Sequence, residues 1–278
     1  MRPILRKVKK LKNTINLLLF SAIIILSSCS DYNKLLKSSD YTKKYDAAIA
    51  YYNKKEYSKA LALLEELVSV YRGTDKAEKI MYYYAYATYS NGDYLLAGYH
   101  FSNYVKTFPA SPHTEECAFM YAYCFYEESP RYSLDQTDTK NAIKELQSFI
   151  NKYPNSPKIT ECNDLIAKLR SKLETKYYEI ARQYYFLYDY NAAIVSFENV
   201  LKEFPDSKFR EDAMFMIVKS HFNYAAKSIE KKKAERYKST IDAYNKFVSY
   251  FPDNSRYNKE ADGIFSAAKK QLENLNKQ

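Results

Sequence analysis

Small and large apolar residues recur along this chain at helical spacing, and the pattern is closed four times by an aromatic residue followed by proline: Phe108-Pro109, Tyr153-Pro154, Phe204-Pro205 and Phe251-Pro252. Counting back from each proline, the eighth residue is Phe101, Leu146, Phe197 or Tyr244, and the twelfth is Ala97, Ala142, Ala193 or Thr240. Residues four apart share one helix face, and proline, which lacks an N–H and clashes with the preceding turn, ends the helix. The same helix is therefore written four times in register, as the second half of a helical-hairpin repeat.

The first halves agree wherever they align without a gap. Ala85 lies twelve residues before Ala97 and Ala181 twelve before Ala193, the spacing of the paired small residues of a tetratricopeptide repeat. An earlier copy lacks the proline: Ala48 and Ala60 keep the interval, Leu64 takes the large apolar position, and Arg72-Gly73 stands where aromatic-Pro stands later. Small residues at these places let antiparallel helices approach closely, and the large one fills the gap between neighbouring pairs. The pattern predicts an all-α chain, a right-handed α-solenoid of five tetratricopeptide-like hairpins over 40–72, 75–109, 112–154, 158–205 and 208–252, followed by a helix over 257–275.

Two copies are stretched. Between Ala122 and Ala142 the interval is twenty residues, and the excess, Ser129 to Asp138, reads as a loop between helices. Between Val218 and Thr240 the excess includes Ile229 to Arg236, which holds no helix breaker and reads as a lengthening of the helices, its charges a solvated face. Lys158 to Leu187 has neither Gly nor Pro, so one helix of about 45 Å and two consecutive helices both fit.

The amino terminus carries compartment information. Arg2, Arg6, Lys7, Lys9, Lys10 and Lys12 precede a short apolar run from Leu17 to Leu26, which ends Leu26-Ser27-Ser28-Cys29. A bilayer span needs about twenty apolar residues, so this run reads as a secretory signal over 1–28 with a lipobox at Leu26, Ser27 and Ser28. Similarity to bacterial lipoprotein signals implies that cleavage leaves Cys29 first, acylated on sulfur and amino group, with 29–39 as a polar tether; two or more chains make a stable anchor.

Removing 1–28 discards six basic groups and no acidic one, so the net charge falls from +10 to +4. So mild an excess, without a clustered stripe of Lys and Arg, does not support nucleic-acid binding. Apart from Cys29 there are Cys117, Cys124 and Cys162, an odd number; the first two stand two turns apart on one predicted helix, about 10 Å along its axis, and read as buried apolar groups. His100, His113 and His221 are scattered without ligand spacing, so no metal site is expected. Four glycines build no phosphate-cradling loop, and no cofactor is expected. Glu65-Glu66, Glu115-Glu116 and Glu127-Glu128 point about 100° apart on a helix and do not converge for acid–base work. With no Gly-x-Ser-x-Gly elbow either, the residues point away from an enzyme.

Tyrosine is the rich residue, with 31 copies and no tryptophan. Tyr82, Tyr83, Tyr84, Tyr86 and Tyr89 cover more than one helix face, so some of these rings are expected to line an exposed groove. Tyr82, Tyr83, Tyr86 and Tyr89 are the candidate groove residues, because a rigid apolar ring with a polar tip suits peptide recognition on stacked repeats.

A lipobox, a short polar tether and five repeats, in this order, resemble the BamD family, the lipoproteins of the outer-membrane β-barrel assembly machine. The resemblance continues through the Ser129 to Asp138 insertion before Thr139-Lys140-Asn141-Ala142, Tyr153-Pro154-Asn155-Ser156, Leu165-Ile166-Ala167-Lys168-Leu169-Arg170, Tyr177-Tyr178-Glu179-Ile180-Ala181 and Phe204-Pro205-Asp206-Ser207. The Tyr, Asn, Lys and Ile content is similar to Bacteroidetes members. The resemblance implies a non-catalytic scaffold, lipid-anchored to the outer membrane and facing the periplasm. Its carboxy-terminal repeats would dock the POTRA domains of a BamA-like barrel, and its amino-terminal repeats would receive unfolded outer-membrane protein precursors. At Ser196 the chain departs from the family, which can carry there an arginine facing BamA; Arg182, Lys208, Arg210 and Lys219 are the nearby alternatives. Two other readings use the same repeats: a periplasmic scaffold in envelope or cell-division work, and a SusD-like glycan-binding lipoprotein, which the lack of tryptophan and of large loops disfavours.

Overall fold

A computed structural model describes residues 31–253 and 255–277, and the signal, the lipobox and Cys29 lie outside them. The described residues are helical throughout, without a strand. In chain order the helices are α1 (Tyr41–Asn53), α2 (Tyr57–Val70), α3 (Ala77–Ser90), α4 (Tyr94–Thr107), α5 (Thr114–Glu128), α6 (Thr137–Lys152), α7 (Ile159–Phe186), α8 (Tyr190–Glu203), α9 (Arg210–Ala226), α10 (Glu230–Tyr250) and α11 (Asn258–Leu275). The long breaker-free stretch is thus one helix, α7. The second insertion lengthens α10 to 21 residues, after a break at 227–229.

The aromatic-Pro pairs end their helices as expected. Phe108, Phe204 and Phe251 each donate their N–H four residues back, to Tyr104, Val200 and Phe247, and the following proline stops the chain from continuing. Helix starts are set by aspartate: Asp40, Asp93 and Asp189 accept from the N–H groups of Lys43, Leu96 and Ala192 at 3.0–3.1 Å, satisfying donors the helix leaves orphaned.

Three hairpins turn in one way. Lys55, Gly92 and Tyr188 lie at φ 62°, 89° and 63°, each two residues before the second helix. Their N–H groups reach back to the carbonyls of Tyr52, Tyr89 and Tyr185, and the next residue's N–H reaches Tyr51, Thr88 and Tyr184. This is the Schellman arrangement, which glycine favours. Here lysine and tyrosine occupy it twice, and neither announces the turn in the sequence.

The described residues divide into two compact units, one of residues up to 128 with 144–158, the other of 129–143 with those from 159 on. In the first, Ala48, Ala60, Leu63, Leu64 and Leu67 form one buried cluster, and Ala85, Ala97, Phe101, Tyr104, Cys117 and Cys124 a second. In the second unit, Ala181, Ala193, Phe197, Val200 and Ala213 pack together, and Met214, Phe215, Val218, Phe247 and Ala261 follow. The register residues Ala97, Phe101, Ala142, Leu146, Ala193, Phe197 and Thr240 are all fully buried. Tyr244 departs from the pattern and is only half-buried, while Phe247, like Tyr104, Phe149 and Val200 five residues before the other prolines, is buried in the core. Tyr244 stacks on Phe265 at 4.3 Å and donates its hydroxyl to Asp262 at 2.6 Å, because α11 offers a half-exposed ring partner in the last hairpin.

Candidate functional site

Each unit locks its loops with a carboxylate. Ser111, two residues after Pro109, donates at 2.6 Å to Glu78, which also accepts from the buried Tyr104 hydroxyl at 3.0 Å. Ser207, two residues after Pro205, donates at 2.5 Å to the buried Glu174, which takes the Lys208 N–H as well. The carboxylate stands 33 residues before the serine in both. This spacing was available in the sequence, and motif reading passes over it because neither residue alone suggests a site.

In the first unit, Tyr82, Tyr83, Tyr86 and Tyr89 are all half-buried on α3. Tyr82 and Tyr86 both donate to Oε1 of Glu116, and His113 Nδ1 lies 3.4 Å from its other oxygen. Burial, with the Glu116 carboxylate adding to it, pushes both phenols well above their usual range, so they stay neutral donors. Tyr83 meets Tyr52 edge-on at 4.8 Å. Tyr89 lies between Tyr94 and Tyr123, and burial lifts its phenol to about 12. The candidate groove tyrosines therefore pack between helices, with two of their four hydroxyls committed to one carboxylate.

In the second unit the candidate cations separate. Arg182 on α7 donates to both oxygens of Glu179 at 2.9 and 3.1 Å, with its guanidinium over Tyr178 and Phe186. Tyr178 stacks on Phe209 at 4.2 Å, and burial, helped by nearby Asp212, lifts its phenol to about 12. Asp212 takes hydrogen bonds from Arg256 and from the Tyr257 hydroxyl. Tyr257 stacks on Phe215, over which lies Lys219, paired with Glu260 at 2.7 Å. These contacts run as one strip of ion pairs and stacked rings across α7, α9 and α11. Arg210 does not join it, since it donates to the Pro205 carbonyl and lies over Tyr250, whereas Lys208 borders it, reaching Ser171 on α7 and lying over the Phe209 ring at 5.0 Å. Ser196 is half-buried on α8, a second helix.

Sequence reading missed a neighbouring groove. The 129–136 insertion is tied down by the buried Gln136, which donates to the carbonyls of Arg131 and Leu134 at 3.0 Å and accepts from Thr139 at 2.8 Å. Lys172 and Lys176 of α7 donate to the loop at Ser129 and Ser133. Between loop and helix lies an open groove of about 390 Å³, lined by Tyr132, Ser133, Ile180, Arg182, Phe186 and Leu187 among others. Phe186, Leu187 and Tyr188 are 61–68% exposed. The available signal was the apolar run Tyr184 to Tyr188 entering a turn, where polar residues are usual.

Cys117 and Cys124 are buried, and desolvation lifts both thiols to about 12, so they are inert apolar groups as expected. No group of three or more His, Cys, Asp or Glu among the described residues is placed to hold a metal ion, and none of their helices is long and apolar enough to cross a membrane.

Helical hairpins in two packed apolar units, with a strip of aromatic and charged side chains on the second, define an α-helical repeat protein. The chain belongs to the YfiO family of outer membrane lipoproteins, whose family model matches residues 37–237 and 178–276. It is similar to the outer membrane protein assembly factor BamD of Haemophilus influenzae, 22% identical over 227 residues, 78% of this chain and 84% of that one. BamD of Caulobacter vibrioides is 24% identical over 136 residues, 49% of this chain and 45% of the relative, less than half its length. A putative assembly factor BamD of Aquifex aeolicus is 22% identical over 210 residues, 73% of this chain and 67% of that one. Among solved structures, the TPR2AB domain of yeast Sti1 aligns with 83% of this chain and 99% of its own at TM-score 0.40 and 14% identity. A TPR repeat protein of Bacteroides fragilis aligns with 84% of this chain and all of its own at TM-score 0.37 and 13% identity.

Proposed function

We propose that this protein is a non-catalytic scaffold of outer-membrane β-barrel assembly, held by lipid on Cys29 and facing the periplasm. Its carboxy-terminal unit docks POTRA domains of a BamA-like barrel, and its amino-terminal unit receives unfolded precursors. Family membership and the BamD relatives support the assembly role. The observation that carries the docking role is the groove beside Arg182: it joins exposed Phe186 and Leu187 to a guanidinium already oriented by Glu179, the combination of aromatic anchor and arginine that dominates protein interfaces. Since Ser196 lacks a charge, the attraction to an acidic partner surface falls to Arg182. An anchor raises the effective concentration at the membrane, so modest contacts suffice.

The test is a mild-detergent pull-down of the tagged full-length protein from its native envelope, with mass spectrometry of what remains bound. A large POTRA-containing barrel protein is the expected main partner. Phe186→Ala with Arg182→Ala should weaken its capture by about 30-fold or more, the scale of a central interface pair, while the thermal unfolding midpoint stays in place. Capture of division or glycan-uptake proteins instead would overturn this reading.

A further inference from the structure

The segment directly after Cys29 is not a loose leash. Residues 31–36 form a short helical stretch, and Tyr32, Leu35 and Leu36 pack against the first buried cluster. Tyr32 donates its hydroxyl to the Lys59 carbonyl at 3.1 Å and meets Tyr51 edge-on at 5.4 Å. At the other end, Lys44, 1% exposed, donates its ammonium to the Leu36 carbonyl at 2.9 Å and pairs with Glu66. A buried ammonium is costly unless it is paired and hydrogen-bonded, so this one marks a specific clamp.

The clamp has a direction. Tyr32 touches the end of α1 and the start of α2, whereas Leu36 touches the start of α1. The chain therefore enters at the α1–α2 turn, where Lys54 and Lys55 are exposed and make no ion pair among the described residues. One residue, Ser30, separates Cys29 from Asp31, so their Cα atoms lie about 7 Å apart at most. The α3–α4 turn lies alongside, since Ser58 donates to Asn91 at 2.9 Å. Just beyond it, α4 exposes Leu95 by 75%, Tyr99 by 61% and Leu96 by 41%. Glu56, Asp93 and Glu128 are acidic groups here; the first is paired with Lys59, the second caps α4, and the third, exposed at the end of α5, lines the same groove as Leu95 and Tyr99.

We propose that this turn edge of the amino-terminal unit rests on the bilayer surface: Lys54 and Lys55 meet anionic headgroups, and Leu95 and Tyr99 enter the interface. The inference rests on lipidation of Cys29, and it goes beyond the assembly role by giving the first hairpins a fixed contact with lipid. Lysine and tyrosine are the residues whose apolar bodies and polar tips suit that depth. A clamp that begins three residues after the lipidated cysteine keeps this edge close to the anchor. It also accounts for exposed leucines that the fold does not bury.

The native chain has no tryptophan, so single substitutions report cleanly. Leu95→Trp and, at the far end of α2, Val70→Trp are each placed in the full-length lipidated protein, bound to phosphatidylglycerol vesicles containing brominated lipid. Those positions differ along the hairpin by the length of α2, about 20 Å. Quenching should be strong for Leu95→Trp and near zero for Val70→Trp. The signal for Leu95→Trp should fall on adding Lys54→Glu with Lys55→Glu, or on inserting before Asp31 about ten Gly and Ser residues, which span about 17 Å. Equal quenching at both sites in protein that floats with the vesicles overturns the edge contact and leaves the assembly role standing. Failure to float overturns the contact together with the anchor it rests on. No partner protein is present, so neither result depends on barrel assembly.

Discussion

The two units make different use of the same helix face. On α3 and α5 of the amino-terminal unit, tyrosines turn their hydroxyls to a shared carboxylate, Glu116, and their rings to one another. On α7, α9 and α11 of the carboxy-terminal unit, the corresponding face carries ion pairs, Arg182 with Glu179 and Lys219 with Glu260, set between stacked rings. The phenols are neutral and their hydroxyls are already committed to Glu116, so this face presents apolar ring edges with little charge. Oriented cations select partners by charge and fix register. The difference teaches that a repeat's register fixes its core, while the residues on this outer face are free to diverge.

The comparison can be broken most strongly in the core. Phe101→Ala and Phe197→Ala each remove a fully buried ring and should each cost about 3–5 kcal/mol in chemical denaturation. If the units are separate cooperative bodies, hydrogen exchange will accelerate mainly in the unit that carries the substitution. A smaller effect sharpens it at the turns. Tyr188→Gly relieves a left-handed backbone that glycine adopts freely and should stabilise the second unit by about 1 kcal/mol; Gly92→Ala should destabilise the first by a similar amount.

The smallest effects come from pH. His100 and His221, one in each unit, are held below the ordinary 6.5 chiefly by burial, so each is neutral when folded and accepts a proton more readily when unfolded. Their contribution is therefore complete above 6.5 and is lost as pH falls from there through the folded values. Glu78 adds a term to the first unit alone. Hydrogen bonds from Ser111 and Tyr104 hold its carboxyl below 4.5, so that stabilisation is present above 4.5 and disappears as pH drops through the lowered value. Denaturation midpoints followed from pH 7 to pH 3 should show acid loss in both units, and Ser111→Ala should reduce the part of the loss below pH 4.5 in the first unit, leaving the share held by Tyr104.

The sequence made the core legible because burial enforces periodicity. Ala97, Phe101, Ala193 and Phe197 had to recur in register, and they did. The last hairpin broke the pattern at Tyr244, half-buried where a core residue was expected, because α11 supplies a partner that no spacing rule counts. The turns at Lys55 and Tyr188 were hidden, since their left-handed backbone is imposed by the helices around them rather than announced by glycine. The site was less legible. Lys208 and Arg210 are candidates in the sequence by position alone, and the spacing does not show that Lys208 reaches Ser171 on α7 or that Arg210 turns back to the Pro205 carbonyl. The groove at Phe186 depends on an insertion folding back onto α7 through Gln136 and Lys172, a contact across more than forty residues that composition does not reveal.

The most direct test places a photo-crosslinking residue at Phe186 and, separately, at Tyr86 in the full-length protein, and identifies adducts formed in the native envelope. A POTRA-containing barrel partner captured at Phe186 and not at Tyr86 is the predicted result. The same partner captured at Tyr86, with none at Phe186, would contradict the division of labour between the two units.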